Sequence, residues 1–282
     1  MKQQSALYIV ATPIGNLSDM TPRAVEVLSR VDVIAAEDTR HSAKLMHHYQ
    51  ISTPLIAYHD HGGDAQTERV LKKLRAGDSV ALISDAGTPL ISDPGYRLVH
   101  CARAEGFEVV PIPGPCALIA ALSASGLPSD RFMFEGFTPA KQSARIAVFN
   151  AVKTEKHTLI YYESPHRIVD SLADMSTCFG GERHVVVGRE LTKTFETFLC
   201  GTLCDIAGKV AEDPNQRKGE LVVMLAGFVA QEVLEELDSS VVSVLNILRE
   251  ELPLKQASAL CAKITGEKKN KIYKWALSDQ DN

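Results

Sequence analysis

The sequence predicts an α/β protein: two α/β domains followed by a small all-helical, helix-turn-helix-like domain. Three observations predict it. Apolar runs of strand length alternate with segments of helical period through most of the first 227 residues, the pattern of strands joined by helical crossovers. A turn-rich break, SASGLPSD, interrupts that alternation at 123–130, and after Gly227 only helical periodicity remains. The expected domains are therefore 1–122, 123–228 and 229–282.

In the first domain the strands fall at Leu7 to Thr12, Val31 to Glu37, Leu55 to Tyr58, Val80 to Ser84 and Val109 to Ile112. A helix from Pro22 to Ser29 has Thr21 as N-cap and proline at its first position, where the missing N–H is no loss. Further helices cover about 41–50, 65–76, 95–105 and 115–124, and Gly106 marks the end of the third of these. The second domain reads as strands at Phe132 to Phe137, 158–163, 184–189, 195–200 and 220–226, with helices near 141–152, 166–178 and 203–212. The strands ending at Arg189 and starting near Phe195 must be antiparallel, because a parallel connection needs a dozen or more residues. In the last domain a linking helix spans 229–250. Leu254, Ala257, Cys261 and Ile264 then form one helical stripe, ITGEKKN a polar turn, and Ile272, Trp275 and Ala276 the stripe of a second helix.

Lys and Arg total 30 against 35 Asp and Glu, a formal charge of −5, which excludes a generally polybasic nucleic-acid coater. The charge is uneven: residues 252–277 carry six lysines (255, 263, 268, 269, 271, 274) and one acid, Glu267. The six cysteines at 101, 116, 178, 200, 204 and 261 show no pairing rhythm, as in a reducing compartment, and Cys200 and Cys204 read as core cysteines. The apolar run before Pro13 is too short for a signal-peptide core, and far short of the roughly 20 residues of a membrane span. The expectation is a soluble cytoplasmic protein with no membrane contact.

In open parallel sheets ligands bind beyond the carboxyl ends of the strands. Here those ends are loaded: TPIGN after the first strand, EDTR after the second, HDHGGD after the third, SDAGTP and then SDPG after the fourth, PGPC after the fifth. Five such loops on one edge indicate a small-molecule site. GxxxxGK[ST] and GxGxxG are absent, so neither a triphosphate cradle nor an ordinary dinucleotide fold is supported. The glycine–proline steps of DAGTP and PGPC let backbone approach a ligand without demanding an anion, which suits a neutral or cationic cofactor. His59, His61 and Asp64 fit no established metal signature and read as turn and surface residues, so no metal is expected. Serine nucleophile chemistry has no GxSxG to support it.

Seven segments, in order, carry a specific resemblance: YIVATPIGNLSDMTPRA, AEDTRHSAKL, SDAGTPLISDPG, PGPCALIAALSASGLP, YYESPHR, RELTK and KGELVVML. They resemble the ribosomal RNA small subunit methyltransferase I family of the tetrapyrrole methylase superfamily, over essentially residues 6–227, and the lysine-rich tail is similar to that family's C-terminal domain. The resemblance implies a two-domain tetrapyrrole-methylase-like fold and a homodimer. It implies transfer of a methyl group from S-adenosyl-L-methionine to the ribose 2′-oxygen of a cytidine in the decoding region of 16S ribosomal RNA, within the small subunit. The superfamily's cofactor contacts fall on Pro13, Asp85, Gly87, Thr88, Cys116, Ala117, Tyr162, Gly219 and Leu221.

Methylating a hydroxyl requires a proton acceptor within hydrogen-bond reach. Glu37, Asp38, Asp93, Glu163, His166, Glu190 and Lys193 lie on the expected rim, with Asp38 or Glu190 leading as the catalytic group. Arg40, Arg167 and Arg189, with Lys268, Lys271 and Lys274 of the tail, suit RNA phosphates. For Glu163, Arg167, Arg189 and Glu190 an inter-domain ion-pair network is the competing reading. A tetrapyrrole methyltransferase and a non-catalytic RNA-binding regulator are the alternative functions.

Overall fold

The protein is described here by a computed structural model covering residues 5–59, 63–230 and 237–278. It divides into two compact units, Met1–Phe228 and Val229–Asn282.

The first unit contains two five-stranded sheets. Strands β1 (Ala6–Val10), β2 (Val33–Ala36), β3 (Leu55–Ala57), β4 (Val80–Ile83) and β5 (Glu108–Ile112) pair in parallel, in the order β3-β2-β4-β1-β5. Both faces of this sheet are covered, so its strands are apolar at nearly every position. Val10, Ile34, Ala36, Ala81 and Ile83 pack on helices α1 (Pro22–Arg30) and α2 (Thr39–His48) through Ala24, Leu28 and Met46. Leu7, Val33, Ala35, Val80 and Leu82 face α3 (Gly63–Arg75) and α4 (Tyr96–Ala104) through Val70, Leu71, Leu74, Leu98 and Ala102. The Thr21 hydroxyl accepts from the Ala24 N–H at 3.2 Å, the expected cap of α1.

Helix α5 (Ala117–Ser125) leads to the second sheet and packs on it: Leu118, Ala121 and Leu122, with Ile14 from the β1 loop, meet Ile160, Val186, Val222 and Met224. This sheet consists of β6 (Phe132–Phe137), β7 (Thr158–Glu163), β8 (His184–Arg189), β9 (Thr197–Thr202) and β10 (Leu221–Leu225), in the order β6-β7-β10-β8-β9. Among its hydrogen-bonded pairs only β6–β7 is parallel, and β8 and β9 form the antiparallel pair that their short connection dictates. Its other face carries α6 (Gln142–Ala151), α7 (Ile168–Phe179) and α8 (Leu203–Glu212).

The second unit is three helices, α9 (Ser239–Glu251), α10 (Leu254–Thr265) and α11 (Lys269–Ser278), around Leu245, Ala257, Cys261, Ile272 and Ala276. Gly266, in the left-handed conformation, ends α10 and opens the turn expected there. Residues 231–236, within the expected linking helix, lie outside the described residues.

Two readings of side-chain burial are corrected. Cys200 and Cys204 are exposed: Cys200 lies on β9, an edge strand with no neighbour on one side to shield it, and Cys204 lies off the buried stripe of α8, which runs through Leu203, Ile206 and Val210. Ile264 is 59% exposed, since the buried stripe of α10 runs through Ala257, Ser258 and Cys261 and leaves Ile264 beyond its edge. No helix among the described residues is long and apolar enough to cross a membrane.

Candidate active site

The order β3-β2-β4-β1-β5 sends the chain one way after β1 and the other way after β4, which opens a crevice at the carboxyl ends of these adjacent strands. The two loops are tied by a reciprocal pair of hydrogen bonds, Thr12 N–H to the Gly87 carbonyl at 2.8 Å and Gly87 N–H to the Thr12 carbonyl at 3.0 Å. Gly87 has φ +84°, a conformation that favours glycine, and a Cβ there would sit tightly, 3.3 Å from the Ile14 side chain. The Thr88 hydroxyl donates to the Pro115 carbonyl at 2.9 Å and joins the β4 loop to the β5 loop.

Above this edge lies a cavity of about 450 Å³, closed on its far side by the second sheet. Glu37, Asp85, Ala86, Gly87, Thr88, Ser92, Asp93, Cys116 and Ala117 line it from the first half, and Phe137, Tyr162, Glu163, Ser164, Leu191, Glu220 and Leu221 from the second. Five carboxylates reach this cavity and, among the described residues, no Lys, Arg or His lines it. An adjoining cavity of about 350 Å³ shares Ile14, Asp85, Ala86 and Glu220 as a common wall but is also lined by Pro13, His41, Lys44 and Lys193.

The carboxylates differ in state. Burial, with repulsion from Glu37 and Asp85, pushes Asp93 up to about 6 against a hydrogen bond from Ser84. Asp85 accepts the Asp38 backbone N–H at 3.0 Å and so fixes the start of α2. Asp38 caps that helix, accepting from the Arg40 N–H at 2.8 Å, and this bond with the Arg40 side chain holds its carboxyl below the usual range. Glu163 is buried; it accepts from the Thr138 and Ser171 hydroxyls and the Ser164 N–H and pairs with Arg167 at 3.2 Å.

Burial works to raise Glu190, but the Lys193 ammonium at 2.8 Å and the Glu220 N–H at 2.9 Å outweigh it, and its carboxyl lies below the usual range. Lys193 also pairs with Glu220 at 3.1 Å. Glu190 and Thr192 have φ of +52° and +65°, a conformation other residues than glycine seldom hold, and Glu190 lies where a Cβ on Gly219 would stand. Tyr162 accepts the Leu118 N–H at 3.1 Å through its hydroxyl, and its ring meets Phe134 and Phe137 edge-on, so it joins β7 to the start of α5. Burial raises this phenol well above its ordinary pKa.

The structure thus gathers Asp85, Gly87, Thr88, Cys116, Ala117, Tyr162 and Leu221 around the larger cavity. Pro13 lines the smaller one, and Gly219 stands behind the wall against Glu190. Asp38 and Glu190 line neither cavity, whereas Glu37 and Asp93 line the larger. Arg40 is exposed beside Asp38, and Arg167 is held by Glu163. Arg189 is buried, donating to the Thr197 hydroxyl and the Phe195 carbonyl. In the tail Lys268 and Lys274 are exposed, and Lys271 pairs with Glu267 at 3.3 Å.

Four of the strand-end loops reach the larger cavity. In the third, the His59 ring contacts the Glu37 carbonyl at 3.2 Å and lines neither cavity, Asp64 pairs with Arg97, and residues 60–62, His61 among them, lie outside the described residues. Ser92 belongs to the SDPG loop that the sequence placed at the ligand edge, whereas Phe137, Ser164 and Leu191 are wall residues that sequence reasoning did not name. Phe137 had a findable signal, an aromatic residue at the carboxyl end of a strand, and Leu191 lies inside the RELTK segment.

This fold and this acidic cleft define a class of α/β methylases. The chain belongs to the tetrapyrrole (corrin/porphyrin) methylase family, whose model matches residues 6–207, and residues 235–280 match the RsmI C-terminal HTH domain. It is 56% identical over 274 residues to the ribosomal RNA small subunit methyltransferase I of Pseudomonas aeruginosa, covering 97% of each chain. It is 53% identical to the protein of the same name from Escherichia coli O157:H7, over 98% of this chain and 96% of that one. Among solved structures, uroporphyrin-III-C-methyltransferase from Thermus thermophilus shares the fold, with TM-score 0.56 at 19% identity, over 79% of this chain and 94% of that one. The protein is therefore a methyltransferase, and its site must accommodate a methyl donor.

Proposed function

We propose that the protein transfers a methyl group from S-adenosyl-L-methionine to the ribose 2′-oxygen of a cytidine in small-subunit (16S) ribosomal RNA. The observation that carries the donor assignment is the larger cavity: five carboxylates and no cationic side chain, among the described residues, suit a ligand bearing a sulfonium and an ammonium and repel one bearing phosphates. Two relatives above 50% identity, named as ribosomal RNA methyltransferases, support the acceptor. So does a tail whose Lys255, Lys263, Lys268, Lys269 and Lys274 are exposed.

The cavity residues fit this donor. Asp85, Gly87, Thr88, Cys116 and Ala117 would hold it from one side, and Tyr162 and Leu221 from the other. When bound, it supplies an electrophilic methyl group that needs no further activation. The chain's own tasks are then to align the acceptor oxygen and to take its proton. Orientation can supply about 7–11 kcal/mol of the barrier reduction at best. For the proton, the geometry favours Asp93 over Asp38 and Glu190. Asp93 lines the cavity with a carboxyl raised to about 6, a stronger base than carboxylates held low by an N-cap or by a lysine. The domains 1–122, 123–228 and 229–282, drawn from the break at 123–130 and the helix-only periodicity after Gly227, a cytoplasmic location, drawn from the cysteine usage, and a homodimer, implied by the family resemblance, complete the reading.

Incubating the protein with methyl-labelled donor and, separately, small ribosomal subunits, naked ribosomal RNA and a tetrapyrrole tests it. Label is expected on a cytidine 2′-oxygen. Label on a base, on the tetrapyrrole or on none of the three contradicts the proposal.

A further inference from the structure

The smaller cavity differs from the larger in the kind of side chain that lines it. Lys44 and His41 come from the first turns of α2, and Lys193 from the loop after β8. Among the described residues the Lys44 ammonium makes no ion pair, and Lys44 and His41 are both exposed. Lys193 is held in place and kept charged: burial works to lower its pKa, but the hydrogen bonds to Glu190 and Glu220 outweigh burial and raise it. Its stem lies against Gly15, where any Cβ would collide with it.

Basic and imidazole side chains continue along α2. Arg40, His41, Lys44, His47 and His48 are all exposed, and α2, TRHSAKLMHH, contains no acidic residue. Positions 40, 44 and 47, and 41, 44 and 48, recur at helical spacing. At 1.5 Å per residue the stripe from Arg40 to His47 is about 10 Å long, more than a single phosphate can occupy. Its N-terminal end is tied to the wall that the two cavities share, Ile14, Asp85, Ala86 and Glu220, through the Asp38 N–H that donates to Asp85 at 3.0 Å.

We propose that the smaller cavity and the exposed face of α2 form the acceptor-strand subsite, in which Lys44, His41 and Lys193 hold a backbone phosphate of single-stranded RNA beside the ribose presented at the shared wall. This rests on the RNA reading above and deepens it. It puts RNA contacts on the catalytic unit itself, in addition to the lysines of the tail. The smaller cavity binds the anion and the larger the cation, so donor and acceptor are sorted by charge before they meet.

The test is steady-state methylation of small ribosomal subunits by the full-length protein and its Lys44→Ala, Lys44→Arg and His41→Ala variants. Lys72→Ala, an exposed lysine of α3 on the opposite face of the first sheet, is the charge-matched control. Lys44→Ala is expected to raise KM for the subunit about tenfold. It should also make log(kcat/KM) against log salt less steep by about 0.7, the loss of one phosphate contact on a single strand. KM for S-adenosylmethionine should stay within twofold. Lys44→Arg should restore most of the subunit KM, His41→Ala should shift it in the same direction as Lys44→Ala, and Lys72→Ala should match wild type. Equal subunit KM and salt slope for Lys44→Ala and Lys72→Ala would overturn the subsite. Failure of the wild-type protein to methylate subunits would overturn the function on which it rests, and that shows in the first arm alone.

Discussion

Two cavities share one wall and differ in almost everything else. The larger, about 450 Å³, gathers Glu37, Asp85, Asp93, Glu163 and Glu220, whereas the smaller, about 350 Å³, adds His41, Lys44 and Lys193 to that wall. The fate of their carboxylates differs as well. Asp93 is raised by burial and by its acidic neighbours, while Glu190, beside the smaller cavity, is lowered by Lys193 and a backbone N–H. A carboxylate clamped by a cation has a structural part behind the wall; one crowded by like charge is ready for a proton. The comparison teaches that net charge, −5 over the whole chain, says little about which ligand a site takes.

The sharpest way to separate donor from acceptor recognition is to remove the tail. Deleting 229–282 leaves both sheets and their cores intact, so donor affinity by calorimetry should be unchanged while subunit methylation falls by more than about 10³-fold. Retained methylation would refute a role for the tail. Next, Asp93→Asn should lower the single-turnover rate by about 10²–10⁴-fold with donor affinity within a few fold. Because the base must be ionised, wild-type kcat/KM should rise with pH through about 6 and then level, and the variant should lose that rise.

Linkage gives the same residue a stability signature. A carboxyl raised in the folded state binds protons more tightly there than in the unfolded chain, so it is neutral in its effect below about 3.8 and destabilises fully above about 6. Asp93→Asn should therefore be more stable than wild type at pH 8, by about 1 kcal/mol in urea unfolding, and no more stable at pH 3.5.

Smaller effects probe the wall. Gly219→Ala combines φ +82° with a clash on Glu190, and should lower stability by about 1–3 kcal/mol in thermal unfolding. Asp38→Ala removes the cap of α2, worth about 1 kcal/mol, and should slow methylation less than tenfold. A 10²-fold loss from Asp38→Ala or Glu190→Ala, with Asp93→Asn active, would move the proton to one of those residues instead.

Much of the fold was legible in the sequence because local signals agree with tertiary ones. The strands of the first sheet are covered on both faces and read as unbroken apolar runs, and Thr21-Pro22 and Gly266 mark helix ends by chemistry that acts within one turn. The site was legible as loops but not as roles. Asp38 and Glu190 sit in conspicuous motifs, yet what sets their state is a helix terminus and a lysine three residues away in a strained turn, visible only in three dimensions. Asp93 stands out only once Glu37 and Asp85, distant in sequence, are brought beside it. Cys200 could not be placed inside or outside until β9, half-buried along its length, was known to be an edge strand.

The central claim is that the acidic cavity at the ends of β1 and β4 holds the sulfonium donor. The most direct test is calorimetric titration of the full chain with S-adenosylmethionine, alongside an Ala117→Trp variant that fills the cavity from the start of α5. One donor bound per chain by the wild type, and none by the variant at equal thermal stability, is the predicted result. Wild-type protein that takes up no donor, with or without ribosomal subunits present, or undiminished binding by Ala117→Trp, would contradict it.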